Sequence, residues 1–113
     1  MEPIKTDWTK EEFNAYVLLY AAEANFFETT HEEAIIRDRI NEDTFRKILH
    51  EIKHDNEFER LSKIMYCAEK FKYSHEDVDT LMEAIKELFL ADERFDAVEQ
   101  SIFVALKRIL TRS

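Results

Sequence analysis

Apolar residues recur at three- and four-residue spacing along nearly the whole chain, the pattern of helices that each bury one face. Phe13, Val17, Tyr20, Ala24 and Phe27 form a stripe that predicts a first helix from about Thr9 to Phe26, opened by Thr9 and Glu12 as a capping box. Ala34, Ile35, Ile36 and Ile40 mark a short second helix. With Asn41 or Asp43 as cap, Phe45, Ile48, Leu49 and Ile52 make one face of a third. Phe58, Leu61, Ile64, Met65, Ala68 and Phe71 predict the buried face of a fourth. Val78, Leu81, Met82, Ile85, Leu88 and Phe89 do the same for a fifth, and Ile102, Phe103, Leu106, Ile109 and Leu110 for a sixth.

Further start signals punctuate these stripes. Ser74 with Asp77 and Asp96 with Glu99 read as capping boxes with shorter acids, and Thr29 or Thr30 with Glu32 or Glu33 as a third. The chain has no Gly, so helix exits are expected at Asn25, Asn41, Asn56 or short polar turns.

A shift of 67 residues pairs Leu18 with Ile85, Ala21 with Leu88, Ala22 with Phe89, Ala24 with Ala91, Asn25 with Asp92, Glu32 with Glu99, Ile35 with Ile102 and Ile36 with Phe103. Amphipathicity aligns apolar positions by itself, but not the Ala-Asn/Asp step with a Glu seven residues later. The expectation is an all-α, single-domain bundle of about six helices over residues 1–113, with a pseudo-repeat of helix-loop-helix units at the two ends.

Composition narrows the function classes. Roughly eight glycines would be average at this length, and their absence argues against phosphate-cradling loops, dinucleotide-binding turns and hairpin-rich β folds. The single Cys67 excludes an internal disulfide and suits a reducing compartment. Residues 1–8 lack a basic region followed by an apolar stretch, and the longest uncharged run, Phe13 to Ala22, is too short to span a bilayer. A cytoplasmic protein without membrane insertion is expected.

The net charge is −9, and its layout is uneven. Residues 1–36 carry two bases and eight acids, 37–72 nine and eight, 73–106 two and nine, and the segment from Lys107 three bases. No nucleic-acid partner is expected, because no block offers a strongly basic face. Cations, basic proteins and other copies of the chain are the partners this charge favours. Self-association of the acidic blocks with the basic tail fits, as does pairing within one chain.

Ala91-Asp92-Glu93-Arg94-Phe95-Asp96-Ala97-Val98-Glu99, followed by Ile102-Phe103, resembles the Ala-Asp-Gly-x-Ile-x-x-x-Glu signature of the tellurite-resistance TerB-like family. Ala24-Asn25-Phe26-Phe27-Glu28-Thr29-Thr30-His31-Glu32 is similar to the family's first copy, with Phe26 and Glu93 in place of the family Gly. The resemblance implies a divergent all-helical member, associated with tellurite and chemical-stress resistance and acting as an interaction or metal-responsive module. It implies no catalytic residue; no cofactor is expected beyond a possible divalent cation.

Two constellations carry candidate chemistry. Asp92, Asp96 and Glu99, with the corresponding Asn25 and Glu32, offer hard oxygen ligands for a divalent cation such as calcium or magnesium, although a capping box fully accounts for Asp96 with Glu99 and is expected ahead of a metal site. His50-Glu51-Ile52-Lys53-His54 matches H-E-x-x-H, in which two imidazoles bind zinc and the Glu activates water. The core face of that helix runs through Phe45, Ile48 and Ile52, which places His50 and His54 on the solvent side. An ordinary solvated face or simple metal capture is then expected ahead of a zinc hydrolase. Cys67 reads as a half-buried structural thiol. The leading expectation is a non-catalytic interaction module with a protein partner, followed by cation binding at the acidic loops.

Overall fold

A computed structural model describes residues 6–24, 30–90 and 97–111. Within them the chain forms α1 (Lys10–Ala24), α2 (Thr30–Arg39), α3 (Glu42–His54), α4 (Glu57–Phe71), α5 (His75–Leu90) and α6 (Ala97–Leu110), with no strand among the described residues. The helix starts follow the local signals. Thr9 N donates to Glu12 Oε1 at 2.8 Å while Glu12 N donates to Thr9 Oγ1 at 3.2 Å, closing the box that begins α1. Asn41 caps α3 through bonds from the Asp43 and Thr44 amides, and Ser74 and Asp77 exchange the same reciprocal pair ahead of α5.

Asn56 begins a helix where an exit was expected. Its Oδ1 accepts from Glu59 N at 2.8 Å and its own amide donates to Glu59 Oε1 at 2.9 Å, a complete capping box for α4. At the far end of α4, Lys72 takes the left-handed conformation (φ 47°) that glycine usually supplies.

α1 is the axis of the bundle and packs against each of the other five helices. Every residue from Ala15 to Ala22 is buried, so the helix is covered all round rather than along the single expected stripe. The uncharged run Phe13 to Ala22 is the sequence counterpart of that position. Around it, Phe45, Ile48 and Ile52 of α3, Ile64 of α4, Ile85, Leu88 and Phe89 of α5 and Leu106 and Leu110 of α6 close one continuous core. A radius of gyration of 13.0 Å matches one compact domain of this size, for which about 13 Å is usual.

The ends of the chain occupy corresponding places. Shifted by 67, the start of α2 falls on the start of α6, and Leu18, Ala21 and Ala22 are buried as their counterparts Ile85, Leu88 and Phe89 are. α1 and α5 pack against each other, while α2 also rests on α5 and α6 also rests on α1.

The fourth stripe is only partly buried. Ile64 and Ala68 face the core, but Phe58 is 55% exposed and Met65 40% exposed. Periodicity fixes which residues share a face of α4; it does not fix how far the neighbouring helices reach round that face.

Candidate functional site

Among the described residues, interior ionisable groups concentrate where α1, α3 and α4 meet. Lys63 Nζ on α4 lies 2.8 Å and 3.0 Å from the two carboxylate oxygens of Asp55 and 3.0 Å from Glu51 Oε2. The side chains of Lys63 and Asp55 are only 13% and 9% exposed. Glu51 and Asp55 stand one turn apart at the end of α3, which brings both acids to the same ammonium. From α1, the Tyr16 hydroxyl donates to Asp55 Oδ2 at 2.6 Å and the Tyr20 hydroxyl donates to Glu57 Oε1 at 2.7 Å. Trp8 lies over Tyr16 with ring centres 4.5 Å apart, and its indole N–H donates to Glu51 Oε1 at 3.3 Å. The Arg60 guanidinium donates twice to the Ile52 carbonyl, satisfying an acceptor in the last turn of α3.

Burial would pull the Lys63 ammonium down, but its hydrogen bonds to Asp55 and Glu51 outweigh this and hold it above the ordinary lysine value. Burial, reinforced by the acceptor carboxylates, pushes Tyr16 and Tyr20 well above the usual phenol range. Lys63 therefore stays charged and Tyr16 and Tyr20 stay neutral at neutral pH. The cluster fastens three helices together and leaves no carboxylate in it unpaired to act as a base.

That cluster also fixes the H-E-x-x-H residues. Glu51 is turned toward Trp8 and Lys63, while His50 and His54 are exposed on the outer side of α3 with ring centres 4.4 Å apart. Among the described residues, no three His, Cys, Asp or Glu side chains form a group able to hold a metal ion.

Cys67 is fully buried rather than half-buried, 2.9 Å from Thr6 Oγ1, and burial pushes its thiol above the ordinary value. It is a core residue and not a poised nucleophile. The acidic loops fall elsewhere: Asn25, Asp92 and Asp96 lie outside the described residues, as do Phe26 and Phe27. Glu32 belongs to α2 and Glu99 to α6, but their side chains lie outside the description.

A shallow cleft of about 220 Å³ opens between α1 and α5 beside Lys10, Asn14, Tyr73 and Asp77. It is smaller than the roughly 300–1,000 Å³ of typical ligand sites, and its polar groups bond to one another. Lys10 Nζ sits 2.9 Å from Asp77 Oδ2 and over the Tyr73 ring, whose hydroxyl donates to Asn14 Oδ1. Sequence reasoning missed both polar clusters, although Tyr16 and Tyr20, one turn apart inside an uncharged run, were a signal that α1 needed polar partners within the core.

Among the described residues, no helix is long and apolar enough to cross a membrane. Compared with protein-family profiles, curated proteins and solved structures, the chain matches none.

Proposed function

We propose that this protein is a non-catalytic interaction module whose docking surface is the outer ridge of α4. The observation that carries the reading is that Phe58 and Met65, two turns apart with half-buried Leu61 between them, stand in water on one side of the helix. Large apolar side chains grouped on a surface mark contact sites. Acids and bases nearly balance over residues 37–72, which hold the ridge, so the partner is an amphipathic protein segment held by its apolar face. The resemblance to the TerB-like family supports a stress-response role, and a buried, unbridged Cys67 suits a reducing cytoplasmic setting.

The test compares the wild-type chain with the Phe58→Ser/Met65→Ser variant in affinity capture followed by direct binding to the recovered protein. A protein partner held by the wild type and lost by the variant supports the reading. Equal capture by both removes the ridge from it. Peptidase activity abolished by Glu51→Gln would replace an interaction module by a hydrolase.

A further inference from the structure

The outer face of α3 carries a second feature, independent of the α4 ridge. His50 and His54 stand one helical turn apart, both exposed, and neither ring has another side-chain partner among the described residues. His54 Nδ1 lies 2.8 Å from the His50 carbonyl oxygen. A carbonyl oxygen only accepts, so Nδ1 carries the hydrogen, and in the neutral ring the lone pair is on Nε2. A backbone bond of this kind is the usual device that fixes the tautomer and orientation of a metal-binding histidine.

The spacing of the two rings also fits one ion. A metal-nitrogen distance of about 2.0–2.1 Å puts each ring centre about 3.2 Å from the metal, so rings subtending a right angle stand about 4.5 Å apart. The observed centres are 4.4 Å apart with the ring planes inclined at 44°, a separation that suits the right angle of a square-planar or octahedral ion; a tetrahedral angle would need about 5.2 Å.

We propose that His50 and His54 form a two-imidazole chelate for one divalent transition-metal ion, water completing its coordination. Imidazole suits copper, nickel and zinc, and for a given site affinity rises from nickel to copper and falls again at zinc. Glu51 faces Trp8 and Lys63 across the helix and is not a ligand, which separates this site from a zinc-peptidase centre.

The full chain, purified without a histidine tag, is titrated with Cu²⁺ and Zn²⁺ by calorimetry, and the copper form is examined by electron paramagnetic resonance. One ion per chain is expected, with hyperfine structure from two nitrogens and tighter binding of copper. His50→Gln or His54→Gln should each weaken binding on the order of a hundredfold, because each removes the intramolecular second ligand; His75→Gln should leave it unchanged. Undiminished binding in the His50→Gln/His54→Gln double variant, or hyperfine structure from a single nitrogen in the unaltered chain, would overturn the assignment. So would half an ion per chain accompanied by dimerisation.

Discussion

Lys10 and Asp77, 67 positions apart in the chain, form a 2.9 Å ion pair between the first turns of α1 and α5. Sixty-seven is also the offset of the internal repeat, so the two residues hold equivalent places in the two end units and meet where α1 and α5 face each other. Lys10 and Asp77 are about half exposed, and such pairs contribute little to stability. Asp77 has a second role, because Oδ2 also accepts the Ser74 amide while the Asp77 amide donates to Ser74 Oγ. Lys10→Met is therefore expected to leave stability nearly unchanged, and Asp77→Ala to be the more destabilising of the two, because it also removes the acceptor of the Ser74 amide. Urea unfolding of the two variants checks the difference.

The Lys63 cluster is expected to behave differently, because its members are buried. Lys63→Met leaves Glu51 and Asp55 facing each other without their cation, a change that typically costs about 3–5 kcal/mol. Tyr16→Phe removes one donor from Asp55 while Lys63 stays in place, and about 1–3 kcal/mol is expected. Denaturant midpoints should rank Lys63→Met well below Tyr16→Phe; equal midpoints would mean that Asp55, not the ammonium, dominates the cluster.

Lys72 ends α4 in a conformation that costs an L-residue roughly 1–2 kcal/mol. Glycine removes that cost and gives back about 0.5–1 kcal/mol through the entropy of the unfolded chain. Lys72→Gly should thus stabilise the protein by ~0.5 kcal/mol, a rise of about 2–4 °C in Tm. Thermal unfolding followed by circular dichroism reads this, and a fall in Tm would show that the Lys72 side chain contributes more than its backbone costs.

The helix starts were legible because capping is local: Thr9 with Glu12 and Ser74 with Asp77 need only their own four residues. The 3.6-residue period gave the faces of α3 and α5 for the same reason. It could not show that α1 sits at the centre, where both sides of the helix are covered, nor that α4 ends with Phe58 and Met65 uncovered, since both depend on the reach of distant helices. The Tyr16–Asp55–Lys63 contacts join positions 39 and 8 residues apart, and no local pattern encodes them. The histidine pair was legible as spacing and exposure, whereas the Nδ1 bond that orients His54 depends on its rotamer, which spacing does not set.

Capping and cation binding place different demands on Asp92, Asp96 and Glu99. A capping Asp96 needs only an acceptor, so Asp96→Asn should cost little and Asp96→Ala about 1 kcal/mol. A cation site needs charge, and Asp92→Asn or Glu99→Gln would then abolish stabilisation by calcium. Capping is the expected outcome: no rise in Tm with near-stoichiometric calcium, and both variants folded. A saturable rise removed by Asp92→Asn would identify these loops as a cation site.

Acid sensitivity follows from Glu12. The hydrogen bond from Lys47, at 2.5 Å, and that from the Thr9 amide hold its carboxyl below the ordinary glutamate value. A carboxyl depressed in the folded state binds its proton more readily in the unfolded chain, whose glutamate titrates near about 4.3. The resulting stability is fully present above that value and is lost as pH falls through the lower, folded one. Glu12→Gln keeps an oxygen able to accept the Thr9 amide but removes the charge that Lys47 pairs with. The variant should be less stable than wild type at pH 7, and the gap should close as pH falls below about 4. Urea midpoints at intervals from pH 7 to 3 measure it. A gap that stays constant over that range would show that the charge of Glu12 contributes nothing that titrates, and would overturn this origin of acid sensitivity.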